Sequence, residues 1–407
     1  MPELPDFRPE DEPFYRRGAD AVFRRLRAED PLHWVERSRF WAVTRHADVQ
    51  TVSQHPRRFS SAHGTQLFEV VRRSRGESPL GELSRQVDLG APPILRMDPP
   101  QHNRQRKLVI GAFTKQRVAA LEARVREIAK RSFDAVDPSG PVDFVEQLAM
   151  PTPMYVIAEL LGVPASDYAD FRRWSDAMIE AGGGNLSPEV AKCGAELMQY
   201  GMRIADERRR DPRGDLISVL VGAEIDGERL SDAEIGMFCL TLLVAGNETT
   251  RNLISGGALA LARHPEQRAR LLDDPGLLPN AVEEMLRFVS PVRSFARHAT
   301  EDCTLRGKTV RAGDALVLFY GSANRDEAVF GADADAFDVG RESARRQLAF
   351  GFGEHLCLGA SLARLEARVV FEELFARWPC FELAGEPEPL ASSLMNGLVR
   401  MPVVLAP

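Results

Sequence analysis

The chain has 407 residues, of which 44% are hydrophobic and 27% charged, and 52 basic against 59 acidic side chains give a formal charge of −7. That composition excludes a disordered, collagen-like or low-complexity protein, and the mild acidity argues against a protein that wraps nucleic acid with a basic face. A chain of this length buries a core large enough to enclose a bulky cofactor.

Residues 1–12 have neither a basic n-region nor an apolar h-region, so neither a signal peptide nor a membrane anchor is expected. His33 to Val43 alternates and predicts two strands around a turn at Arg37-Ser38. Thr44 to Gln54 predicts a helix, with Thr44 as its cap and Pro56 beyond its end. Ser60 to Pro93 reads as a long loop of the kind that forms lids or binding loops.

Helical periodicity dominates from Gln101 onward. It predicts helices over Val118–Ala135, Met154–Leu161, Ser166–Glu180 and Pro188–Arg210, with a corner at residues 181–185. Ser231 and Glu234 form a capping box that opens a helix from Asp232 to about Arg263. The longest near-apolar run, Ile235 to Gly246, lies inside it and is too short to span a bilayer. Pro279–Val289 and Ala360–Trp378 are further helices. Thr304–Tyr320 predicts a small sheet and Gly397–Leu405 a final strand. The fold class is mainly α with a minor β-rich portion near 33–44, 304–320 and 397–405, in one domain spanning 1–407.

Cys193, Cys239, Cys303, Cys357 and Cys380 are odd in number, widely spaced and free of any CxxC. A reducing, cytoplasmic setting is expected, without a disulfide framework or thiolate zinc site. Residues 350–359 read Phe-Gly-Phe-Gly-Glu-His-Leu-Cys-Leu-Gly. Three glycines bracket Cys357 just before a helix, where the backbone turns tightly and the helix N-terminus favours a thiolate. Such a thiolate suits haem iron. The plainer reading is a buried free cysteine in a glycine-rich turn. Neither GxGxxG nor GxxxxGK occurs.

Val244-Ala245-Gly246-Asn247-Glu248-Thr249-Thr250 places a glycine, an acid and two threonines in an apolar helix, poor chemistry for a helix core. As structure alone it is a polar end to a buried helix. Glu284 and Arg287, three apart, share a helix face, and as a surface pair they would contribute only about 0–1 kcal/mol. His102 and Arg106 share another face after Met97-Asp98-Pro99-Pro100.

Residues 350–359 match FGxGxHxCxG, the haem loop of the cytochrome P450 superfamily, and the chain resembles bacterial members of it. The other motifs occur in the family's order and spacing. The resemblance implies haem b, with Cys357 as the iron ligand, Phe350 near the sulfur, and Ala245 and Gly359 against the haem. It implies that His102, Arg106, Arg297 and His355 partner the propionates. It implies that Gly246 and a threonine let the helix ladder open locally, that Thr249 bonds the oxygen ligand and that Glu248 relays protons. Glu284, Arg287 and Arg341 would form a structural network, although Glu342 and Gln347 depart from the commoner proline and histidine.

The implied activity is insertion of one oxygen atom of O2 into a C–H bond. Electrons would come from a separate ferredoxin and ferredoxin reductase, because no flavin or nicotinamide fingerprint is present. Arg104, Arg106, Lys107, Arg345, Arg346, Arg364 and Arg368 are candidates for the ferredoxin's dock. Family topology builds the pocket from Ser60–Pro93, Arg172–Leu186, Val244–Thr249, Val292–Phe295 and Leu394–Asn396. Val292, Phe295, Leu394 and Met395, with Val244, make it apolar, so a lipophilic substrate is expected, with a steroid, sterol or terpenoid favoured. Arg293 has two readings, a carboxylate or keto anchor and a solvent-facing charge. A peroxide-dependent enzyme and a non-catalytic haem or gas-binding protein are the alternatives. The Glu248–Thr249 pair weighs against both.

Overall fold

The computed structural model describes residues 7–16, 18–78, 91–182 and 187–406. The predicted hairpin is β1 (Leu32–Val35) and β2 (Phe40–Val43), turned through Arg39 at φ 51°. β3 (Phe59–Ser60), β4 (Ser294–Ala299) and β5 (Ala315–Phe319) complete a sheet in the order β1-β2-β5-β4-β3. β5 reads Ala-Leu-Val-Leu-Phe, is buried throughout and runs parallel to β2, as a strand covered on both faces does. Successive side chains point to opposite faces. Phe295, Leu316 and Leu318 therefore pack with Val292, Leu394 and Met395, while Ala296, Val317 and Phe319 pack against Phe23 and Val70 on the other side.

The helices that frame the site are α1 (His46–Gln54), α2 (Leu67–Ser74), α3 (Gln101–Ile110), α4 (Pro151–Leu160), α5 (Tyr168–Gly182), α6 (Pro188–Arg210), α7 (Asp232–Arg263), α8 (Leu278–Val289) and α9 (Ala360–Arg377). α7 runs over the span read from its sequence and starts at the predicted capping box. Ser231 Oγ accepts from the Glu234 N–H and Glu234 Oε2 from the Ser231 N–H. At 32 residues it is about 48 Å long. Glycines let other helices come close to it. A Cβ at Gly246 would lie 2.6 Å from Ile157 Cδ1 of α4, and one at Gly236 would lie 2.9 Å from the Met198 carbonyl of α6.

Several elements differ from their sequence reading. Thr44 is not a cap, because its hydroxyl donates to Pro31 O and Arg45 precedes α1. The 60–93 segment is not all loop. Gln66 and Glu69 form a capping box that starts α2, and its apolar face (Leu67, Val70, Val71) is buried. Residues 79–90 of that segment lie outside the described residues, as do 183–186 of the predicted corner. Val118–Ala135 divides at Leu121 into two helices. Residues 397–405 form two strands, Leu398–Arg400 and Pro402–Ala406, that pair with different partners on either side of Met401. Within 304–320 only the small hairpin at 303–310 stands apart, since β5 belongs to the larger sheet.

The glutamate–arginine network is present and fully buried. Arg287 Nε and Nη2 each lie 2.7 Å from one oxygen of Glu284. The remaining Arg287 N–H groups donate to Asn324 O, Ala334 O and Ala336 O. Arg341 Nε is 3.3 Å from Glu284 Oε1 and its other nitrogens reach Asp333 and Phe330 O. Every donor is used, which a buried charge requires. The network staples α8 to residues 324–341, the stretch that feeds the cysteine loop. The two departures from the family pattern fit here. Glu342 is exposed at the start of a 3-10 turn, and Gln347 donates to Glu283 Oε2 while accepting from the Ala349 N–H.

Candidate active site

The loop Phe350–Gly359 delivers Cys357 two residues ahead of the Gly359 N-cap of α9. Gly351 and Gly353 take φ of 73° and 71°, conformations that suit glycine. The Cys357 N–H donates to Phe350 O at 2.9 Å, closing the loop. Arg364 lies over the Phe350 ring, 4.5 Å from its centroid. The helix terminus does not make Cys357 an easy thiolate. Burial pushes the thiol up, against the Gly359 N–H and the charges of Arg106 and Arg364, which pull it down. The surrounding protein desolvates the sulfur although the Cys357 side chain is exposed, as is Leu356 at 44%.

Positive and imidazole side chains gather beside this loop. The His102 and His355 rings are 4.2 Å apart. His102 Nδ1 is 3.4 Å from Glu354 Oε1, and its Nε2 is buried with no hydrogen-bond partner. His355 Nε2 is 3.2 Å from Ser61 Oγ. Arg106 Nη2 donates to Leu356 O at 2.8 Å. Arg297 is buried and makes no salt bridge among the described residues, and its guanidinium donates to Ala296 O. Burial, then Arg297, His102 and Arg106, push the His355 imidazole down to about 2. Burial also lowers Arg106 and Arg297. Buried His102 and Arg297, with half-buried Arg106 and His355, face only Glu354 and Asp98, and donors desolvated in this way are costly unless an anion joins them.

α7 carries the second half of the site. Ala245 is exposed and Thr249 half-exposed, one turn apart, although Leu243, Asn247, Glu248 and Thr250 around them are buried. This open stripe lies at mid-helix, so the motif is not a helix end. The helix stays continuous through it instead of opening. Thr249 Oγ1 donates to Ala245 O at 2.6 Å, and Gly246 answers to the approach of Ile157. Glu248 is 2% exposed, and burial pushes its carboxyl up to about 7 against the opposing pull of Arg251 and Asn252.

The apolar residues fall on both sides. Val292 pairs with Met395 in an isolated bridge, and both pack with Leu394 and Phe295. Val244 packs with the other large cluster. Arg293 is half-buried and held against the backbone. Its Nε donates to Met395 O at 3.0 Å and Ser392 O at 3.2 Å, and its guanidinium lies 4.0 Å from the Tyr15 ring centroid. Sequence reasoning overlooked Ser61, Glu283 and Arg251. The signal for Arg251 was present, three residues after Glu248, in the same relation as Glu284 and Arg287.

The Cytochrome P450 family model matches residues 183–403. A methyl-branched lipid omega-hydroxylase of Mycobacterium tuberculosis is 39% identical over 401 residues, covering 94% of this chain and 90% of that protein. Linalool 8-monooxygenase of Pseudomonas putida is 38% identical over 399 residues, with 95% of each chain covered. The structure of CYP109E1 from Bacillus megaterium in complex with testosterone aligns with a TM-score of 0.83 at 34% identity, over 94% of this chain and 98% of that one. The fold and the cysteine loop are thus those of a haem-dependent oxidoreductase. The chain belongs to the cytochrome P450 family. Among the described residues no helix is long and apolar enough to cross a membrane.

The Glu248 carboxyl, ordinarily near 4.5, keeps its proton in the folded chain to about pH 7. Between those values the folded state holds the extra proton, so stability falls as pH rises across the window, by roughly 3 kcal/mol in all. Glu248→Gln is expected to flatten that slope and to be the more stable protein above pH 7. Denaturant titration of the holoproteins at about pH 5 and pH 8 checks this, and equal slopes would contradict it.

Proposed function

We propose that the chain is a haem b monooxygenase that hydroxylates a lipophilic small molecule of steroid, terpenoid or branched-lipid type, with electrons from a separate ferredoxin and its reductase. The observation that carries this reading is the pairing of a buried Glu248 with a half-exposed Thr249 on α7, in a chain whose exposed Cys357 sits on a glycine loop ahead of α9.

The residues present fit a haem. Cys357 would ligate the iron, and His102, Arg106, Arg297 and His355 would partner the two propionates. Among the described residues His102 Nε2 has no hydrogen-bond partner and Arg297 has no salt bridge, and these are the groups an anion would satisfy. Ala245 and Gly359 would offer little steric bulk to the ring, with Phe350 near the sulfur. When bound, the haem supplies reductive activation of dioxygen, with the thiolate lending it electron density.

The chain's own residues do the rest. Glu248, poised near neutrality, takes a proton from the solvent side and gives it up inward, the behaviour of a general acid matched to its working pH. Thr249 receives it at its hydroxyl, which swings from Ala245 O. Val244, Val292, Phe295, Leu394 and Met395 orient an apolar substrate and keep water out. The names of relatives acting on linalool and methyl-branched lipid, and the testosterone complex of a structural neighbour, support that substrate class.

Four of the arginines considered for a ferredoxin dock are engaged within the chain. Arg364 pairs with Glu283, Arg368 with Glu122 and Glu372, and Arg104 with Glu228 and Glu234, while Arg106 turns to Leu356 O. Lys107, Arg345 and Arg346 are exposed and have no acidic partner among the described residues. Arg345 lines a groove of about 330 Å3 with Val282, Glu283, Leu365 and Arg368. Changing Arg345 and Arg346 together to Glu is expected to slow second-order reduction by an acidic ferredoxin several-fold, most at low salt. Unchanged stopped-flow rates would remove this face from the dock.

Thr249→Ala is expected to leave the haem spectrum and substrate binding intact. The yield of hydroxylated product per reduced nicotinamide consumed by the reconstituted chain should fall by tenfold or more, with the missing electrons recovered as hydrogen peroxide. Undiminished coupling would contradict the proton-delivery role.

A further inference from the structure

Glu248 does not titrate alone. Arg251 follows it by three residues on α7, so the two share a helix face. Both are buried, with Glu248 at 2% and Arg251 at 8% exposure, and Arg251 Nη2 stands 3.6 Å from Glu248 Oε1. That distance makes an ion pair without a direct hydrogen bond. Neither carboxylate oxygen of Glu248 completes a hydrogen bond, nor does Arg251 Nε. A buried guanidinium at this spacing is the chief charge acting on the carboxylate.

The far side of Arg251 leads to another element. Asp176 of α5 acts on the same guanidinium. One residue before Asp176, Ser175 Oγ accepts from Asn247 Nδ2 at 2.5 Å, and both partners are buried. Asn247 is in turn the residue before Glu248. α5 is thus fastened to the turn of α7 that holds the acid, and Asp176 follows directly on the fastening residue Ser175. Among the described residues, no charged group other than Arg251 acts on Glu248, and none other than Glu248 and Asp176 acts on Arg251. α4 contributes Ile157 against Gly246, and Gly397 packs on the Asn252 amide, the remaining group on α7 that acts on Glu248.

We propose that Arg251 is the positioning residue that sets the protonation state of Glu248, and that α5 tempers it through Asp176. This deepens the monooxygenase reading given above and rests on Glu248 being the relay. Arg251 is a positive charge beside an acid, so it favours the carboxylate. Asp176 offsets that charge and favours the protonated acid. An α5 settled on α7 through Ser175 and Asn247 therefore holds Glu248 closer to its proton-loaded state than an α5 that has moved away. α5 and the acid on α7 become one coupled unit.

Two variants move the midpoint in opposite directions. In Arg251→Met the protonated form of Glu248 should persist to higher pH by at least one unit, a tenfold change in the protonated fraction at fixed pH. In Asp176→Asn it should give way at lower pH. Arg251→Lys should restore the wild-type midpoint. The readout is the protonated-carboxyl stretch in pH-difference infrared spectra of the ferric holoenzyme, assigned by its loss in Glu248→Gln. The alkaline limb of product coupling should follow the same shifts.

A midpoint that stays within a few tenths of a unit in both Arg251→Met and Asp176→Asn would overturn the proposal. Should Arg251→Met fail to fold, Asp176→Asn, at an exposed position, still decides it, because a static or upward midpoint there refutes the assignment. Infrared shifts as predicted, together with normal coupling in Glu248→Gln, would uphold the electrostatic assignment and refute only the relay role of Glu248.

Discussion

Burial makes Cys357 a reluctant thiolate, and much of the site follows from that constraint. The sulfur sits where desolvation outweighs one N–H and two nearby guanidiniums, so the polypeptide alone favours the neutral thiol over the thiolate. The loop that holds it closes on its own backbone and uses left-handed glycines at 351 and 353. The polypeptide entering that loop is fixed by Glu284, Arg287 and Arg341, each buried and each with its hydrogen-bonding capacity spent. Removing one partner of such a network leaves an uncompensated buried charge, which costs about 3–5 kcal/mol. A loop anchored in this way gives the sulfur a fixed position.

The opposite electrostatic situation holds on either side of the sulfur. Beside the loop, Arg106 and Arg297 bring positive charge and His102 and His355 bring imidazole rings, of which His355 is held neutral. On α7 a single acid is buried with one cation at 3.6 Å. The two clusters differ in their balance of charge, the first with cations in excess and the second with one buried acid beside one buried cation.

The chemistry-bearing motifs were legible because each puts residues where ordinary packing does not want them. Glycines around a cysteine, an acid and threonines inside an apolar helix, and a glutamate three before an arginine all stand out against periodicity. The long helices were legible for the opposite reason, since α6 and α7 repeat cleanly and begin at strong caps. What escaped the sequence was set by tertiary contact. The two turns of α2 hid in a polar stretch until Gln66 and Glu69 capped them. Gly246 looked like a relaxation of the helix and is a contact with Ile157. Arg293 looked available to a substrate and is spent on two carbonyls and a tyrosine ring. The arginines Arg104, Arg364 and Arg368 looked like a docking patch, but their acidic partners come from distant parts of the chain, a pairing that spacing alone does not reveal.

The absorption spectrum of the dithionite-reduced protein under carbon monoxide tests the central claim most directly. The wild-type holoprotein should show the strongly red-shifted Soret band of a thiolate trans to carbon monoxide, and Cys357→Ser should lose that band while keeping its fold by circular dichroism. An unshifted band in the wild type, or a red-shifted one that survives in Cys357→Ser, would contradict the account.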